Sequence, residues 1–384
     1  MNTIKIISLK ITYRSILIVI LMLLIISLVV LMNIKISSQK INNSIGILNT
    51  EKLFIQFFKY ENHTFFPEMD NPVFTASKIS NLAIQIATTI KPTDARTFLG
   101  NELPGLRMYD TEIVVAGEGT GLATLPYESS PPIEVLLNER KVSEEKLNQT
   151  KIPENNSPIT NPEKKSVFIY HSHSYESFLP LLKDAKIPND AISNDDRVNV
   201  ISLGQHLADD LMRKGIGVEH DKTNMTQELH KRRWSTLKAY TVSHQIVEAV
   251  AGKNNNLKYF IDIHRDSARG KLTTKTINGK SYARLYFVIG KENKNYQENL
   301  EFVKKLNEKL ETKYPGISRG IFLKTYSEGN GIYNQDISNE AMLLEIGGVD
   351  NNFDELNRTV DAFSDVFSNY FWNSKDAKEV NGNG

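Results

Sequence analysis

Val167-Phe168-Ile169-Tyr170-His171-Ser172-His173-Ser174-Tyr175-Glu176 is a short apolar run that leads directly into two imidazoles and a carboxylate. Four consecutive apolar residues bounded by polar ones predict a buried strand, and the polar cluster then falls at its carboxyl end. Open α/β sheets gather their sites at that end of their strands. The chain beyond Glu176 keeps the same texture. Val198, Ile201, Leu207 and Leu211 fall close to one helical stripe that stops at Lys214-Gly215, where glycine can supply a left-handed cap. Ile216 to Val218 reads as a strand, Trp234 to Ala251 as a helix ended by Gly252, and Tyr259 to Ile263 as a strand. Ala283 to Ile289 is a further strand, Tyr296 to Tyr314 a helix stopped by Pro315-Gly316, Ala341 to Ile346 a late strand, and Phe353 to Phe371 a closing helix. Strands alternating with helices predict an α/β domain around a largely parallel sheet over residues 165–374, with a tail at 375–384.

Upstream, Ile16 to Met32 is apolar except for Ser27. As a helix extended to Ile34 it approaches the roughly 30 Å of a bilayer core. Lys5, Lys10 and Arg14 precede it, which favours a cytoplasmic N-terminus at 1–15, an uncleaved anchor at 16–34 and the bulk of the chain outside. Residues 35–145 read as a membrane-proximal region with one amphipathic helix, Phe74 to Ile90; Leu122 to Leu137 is too broken by proline to continue one. Residues 146–164, rich in Asn, Pro, Glu and Lys, read as a linker. With 46 basic and 45 acidic residues the net charge is +1, so no bulk field draws the chain to nucleic acid. Cysteine is absent, which excludes disulfides and thiolate metal sites. Any metal must be held by His, Asp or Glu.

Two further motifs sit at expected strand ends. In Asp262-Ile263-His264-Arg265-Asp266-Ser267 a strand delivers His264, followed by Arg265, whose guanidinium can grip a substrate carboxylate or neutralise Asp266. In Ala341-Met342-Leu343-Leu344-Glu345-Ile346-Gly347 a glutamate interrupts an apolar run, and a buried carboxylate needs a metal, a cation or a proton. Desolvation raises such a pKa toward the range of a general base or acid. His171 or His173, His264 and an acidic residue can supply three ligands to zinc and leave a fourth position open, with Glu345 to accept a proton. His-Glu-x-x-His is absent, which excludes the helix-borne zinc endopeptidase site. No Gly-x-Ser-x-Gly elbow supports serine chemistry.

At these residues the chain resembles the stage II sporulation protein P family. The resemblance rests on Ile169-Tyr170-His171-Ser172-His173 through Glu176-Ser177, on Asp262 to Ser267, and on Tyr314-Pro315 with Ser318-Arg319-Gly320. It also rests on Gly331-Ile332-Tyr333-Asn334-Gln335-Asp336 and, upstream, on Leu99 to Gly105 and Glu128 to Pro132. It implies kinship with zinc N-acetylmuramoyl-L-alanine amidases and their twisted mixed sheet flanked by helices. Implied with it are cleavage of the muramic acid to L-alanine amide and of peptide cross-links in peptidoglycan, at the sporulation septum. Stage II sporulation proteins M and D are the partners it implies. Residue by residue, Glu345 is similar to the amidases' catalytic glutamate and His264 to their later zinc histidine; His171 and His173 compete for the first. Glu176 competes with Asp195 and Asp196 for the acidic ligand. Arg265, Asp266, Arg319 and Asn334 are the candidates for holding substrate. The alternative is a wall-binding scaffold that does not cut.

Overall fold

In a computed structural model of the chain, residues 112–381 are described, except 122–123, 127–129, 139, 150–157, 161 and 327. The expected anchor at 16–34 and the helix at 74–90 lie outside them. Among the described residues no helix is long and apolar enough to cross a membrane. The strands are β1 (Glu112–Ala116), β2 (Lys165–Tyr170), β3 (Gly217–His220), β4 (Tyr259–Asp266), β5 (Thr274–Ile277), β6 (Lys280–Ala283), β7 (Leu285–Gly290), β8 (Ser318–Lys324) and β9 (Glu340–Gly348). The helices are α1 (Ile133–Leu137), α2 (Glu144–Gln149), α3 (Val200–Arg213), α4 (Met225–Lys231), α5 (Ala239–Lys253), α6 (Gly270–Thr273), α7 (Tyr296–Lys313) and α8 (Phe353–Asn381).

Seven strands form one mixed sheet in the order β1-β8-β7-β9-β4-β2-β3, and β5 and β6 form a separate hairpin. The β8–β7, β9–β4, β4–β2 and β2–β3 pairs are parallel, whereas β1–β8 and β7–β9 are antiparallel. The expected α/β class and largely parallel sheet are therefore present. The last strand in the chain, β9, lies at the middle and joins the β4-β2-β3 half to the β7-β8-β1 half. Because β4 and β9 are covered on both faces, their sequences read as nearly continuous apolar runs.

One face, carrying Ile169, Ile261, Ile263, Met342, Leu344 and Ile346, packs with α3, α7 and α8 in the main core. The other, carrying Phe168, Tyr170, Phe260 and Ala341, packs with α5. Helix α3 starts where the Asn199 side chain accepts a hydrogen bond from the Ile201 amide, and Gly215 at φ +79° follows its end, as the capping glycine predicts.

The expected boundaries need correction. The sheet does not begin at 165: β1, from the stretch read as membrane-proximal, pairs with β8 over about 200 intervening residues. Arg284 and Arg319 fix the segment after β1 by donating to the carbonyls of Glu118 and Thr124. The stretch read as a linker therefore connects parts of one folded unit rather than two domains. Helix α8 also runs on to Asn381, into the expected tail.

Candidate metal centre

The turn after β2 closes with the Glu176 amide donating to the His173 carbonyl at 3.0 Å, so His173 and Glu176 share one side of it. Strand β4 brings His264 to the same place. Glu176 Oε1 lies 3.6 Å from His173 Nδ1, and Oε2 lies 3.4 Å from His264 Nδ1. One donor atom from each of the three falls within 4.8 Å of the others. All three side chains are buried. His173 Nδ1, Glu176 Oε1 and His264 Nδ1 have no hydrogen-bond partner among the described residues. Buried polar atoms without partners are costly, and a two-histidine, one-carboxylate set is a zinc-type donor set with room for a fourth ligand. These residues can hold a metal ion.

Their electrostatics agree. Burial opposes charge on His264, but the Asp262 and Glu176 carboxylates outweigh it and hold its pKa well above the ordinary histidine value. Burial alone would raise Glu176, yet the neighbouring His264 and His173 imidazoles pull it below the usual carboxylate range.

Glu345 is the cross-strand partner of His264 in the β4–β9 ladder, so both side chains leave the same face of the sheet. Its carboxylate is 1% exposed and neither oxygen has a hydrogen-bond partner among the described residues. Burial first, then the charge of Glu176, push its pKa well above the ordinary glutamate value. Tyr240, from the first turn of α5, stacks on His264 at 6.2 Å between ring centroids and meets His173 edge-on at 5.2 Å. The Tyr240 ring thus covers both imidazoles.

The structure separates the sequence candidates. His173, Glu176 and His264 come together. His171 does not: it follows Ile169 on the opposite face, under α3, where its Nε2 lies 2.9 Å from His220 Nε2 and its Nδ1 lies 3.1 Å from the Ile263 carbonyl. A Cβ on Gly204 of α3 would sit 2.6 Å from His171 and 2.7 Å from His220, so only glycine leaves room for this pair. Asp195 is paired with Arg197 at the surface, and Asp196 lines a separate groove with His206 and Lys222. Neither joins the centre.

Among the candidates for substrate, Arg265 is fully buried and its fork donates to the carbonyls of Ser177 and Ala191, while its amide donates to Glu176 Oε2 at 3.0 Å. It braces the turn instead of facing a ligand. Asp266 and Arg319 form a buried ion pair, with the Arg319 guanidinium 3.9 Å over the Tyr286 ring. Asn334, at φ +55°, donates to Ser243 Oγ at 2.8 Å. Sequence reasoning missed Asp262, whose Oδ1 lies 3.0 Å from His264 Nε2. The signal was present: an aspartate inside an apolar strand, two residues before the histidine, must face the same way.

A family model described as Stage II sporulation protein P (SpoIIP) matches residues 93–368. The chain belongs to the stage II sporulation protein P family. Stage II sporulation protein P of Bacillus subtilis (strain 168) is 41% identical over 334 residues, covering 86% of this chain and 82% of the relative. As a member of that family the chain is a sporulation protein, and the matched residues hold the sheet from β1 to β9 together with the whole buried centre. Among solved structures, Cwp6 from Clostridium difficile is 15% identical with a TM-score of 0.31; the match covers 58% of this chain and 30% of that one.

Proposed function

We propose that this family member is a zinc-dependent peptidoglycan hydrolase that cuts the muramic acid to L-alanine amide, and peptide cross-links, during engulfment in sporulation. The observation that carries this reading is the buried His173, Glu176 and His264 set, with unpartnered donor atoms, beside a buried and unpartnered Glu345. His173, Glu176 and His264 would hold zinc. In such a site zinc supplies Lewis acidity, polarising an amide carbonyl and making water a usable nucleophile near neutral pH.

The chain's own residues do the rest. Glu345 takes a proton from the attacking water on a carboxylate oxygen and hands it to the leaving nitrogen, a role that suits a buried carboxylate on the His264 face of the sheet with no hydrogen-bond partner among the described residues. The Arg265 amide fixes one oxygen of Glu176, leaving Oε1 to face His173. Tyr240 excludes bulk water from the imidazole faces, which strengthens each electrostatic contact inside.

The test is the full chain incubated with purified peptidoglycan, before and after chelation and zinc repletion, with products identified by mass spectrometry. Zinc-dependent release of free stem peptides is expected, together with uncrosslinked monomers still joined to sugar. A folded, zinc-replete protein that binds the wall and releases nothing would replace this reading with the scaffold.

A further inference from the structure

Behind His264 lies a polar chain that the hydrolytic roles leave unassigned. Asp262 Oδ1 is 3.0 Å from His264 Nε2, an ion-pair contact rather than an aligned hydrogen bond. Both carboxylate oxygens are fixed from the other side. The Ser172 amide donates to Oδ1 at 2.9 Å, and the Ser172 hydroxyl donates to Oδ2 at 2.6 Å. Ser172 Oγ in turn lies 2.7 Å from Ser243 Oγ, on α5, and Ser243 Oγ accepts from Asn334 Nδ2 at 2.8 Å. All five residues are buried.

The chain thus draws on the turn after β2, on β4, on α5 and on the loop before β9, which are the elements that enclose the centre. A buried aspartate is costly to maintain without a charged partner, and the partner here is the His264 imidazole. Its geometry explains its presence. With Nε2 turned to Asp262, the imidazole edge that faces Glu176 is Nδ1, and that nitrogen has no other partner among the described residues. A carboxylate behind a ligating histidine fixes the ring's orientation and raises its basicity.

We propose that Asp262, held by Ser172, Ser243 and Asn334, is a positioning residue that orients His264 so that Nδ1 is its metal-binding nitrogen. This rests on the metal reading above, and the experiment separates the two. Zinc affinity of the full chain is measured by competition with a chromophoric chelator, for the natural protein and for Asp262→Ala, Asp262→Asn and Ser243→Ala, with folding checked by circular dichroism. Failure of the natural protein to bind zinc would defeat the metal reading itself.

If it binds, Asp262→Ala should weaken zinc by roughly 10- to 100-fold. Asp262→Asn, which keeps an acceptor, should recover part of the loss, and Ser243→Ala should weaken binding a few-fold. Natural affinity in all three variants overturns the proposal. If Asp262→Ala does not fold, natural affinity in the other two does so. Nitrogen-15 spectra of the zinc-loaded protein give an independent reading: His264 should carry its proton on Nε2 and the metal on Nδ1, and the reverse assignment would also overturn it.

Discussion

Replacing Glu345 with glutamine removes a proton acceptor while changing no candidate ligand. Hydrolysis should fall by about 10²- to 10⁴-fold, the usual worth of a general base, with zinc content by elemental analysis unchanged. Loss of zinc in that variant would mean that Glu345 is a ligand. Alanine at His173 should release the metal. Alanine at His171 should keep it and instead lower stability by about 1 to 3 kcal/mol in urea unfolding, because His220 and the Ile263 carbonyl lose a buried partner. Glu345 stood out in the sequence because a carboxylate inside an apolar run needs a metal, a cation or a proton. The choice between His171 and His173 was not legible there. In an extended chain both would leave one face, but the turn that closes on Glu176 carries His173 away while His171 stays in line with Ile169.

Helix α3 rests on the His171–His220 pair through Gly204. Burial lowers the pKa of His171 to about 4 and that of His220 to about 2, so both rings are neutral in the fold. Unfolded, each binds a proton below about pH 6.5. The unfolded state therefore gains protons first as pH falls, and stability drops from about pH 6.5 downward by roughly 1.4 kcal/mol per pH unit for each ring. His220→Gln should make that slope shallower in urea titrations between pH 6.5 and 5; an unchanged slope would place the loss elsewhere. Most elements of this half of the sheet were legible, since β2, β4 and β9 are apolar runs and α3 is striped. Strand β8 was not: Ser318-Arg319-Gly320 gives it a polar start, and only Ile321 to Leu323 are apolar. Strand β1, Glu-Ile-Val-Val-Ala, stands alone in sequence, and its partner lies some 200 residues away.

At the scale of the molecule, a fragment starting near 161 omits β1 and leaves the β8 edge bare. It also takes away one carbonyl acceptor each from Arg284 and Arg319, and a buried donor left unmet costs about 1 to 3 kcal/mol. Such a fragment should unfold at lower urea than one starting at 107 and should self-associate on gel filtration, as bare edges do. Equal midpoints would show that β1 is an ornament of the sheet. The position of β9 has a further consequence for a chain made from its N-terminus onward. Until residues 340–348 leave the ribosome, the two halves of the sheet have no strand to join them, and the nascent chain carries all three metal candidates without Glu345. The same segment joins the two halves of the sheet and brings in Glu345, so under the proposed function a chain stopped before it would lack both the central strand and the proton acceptor.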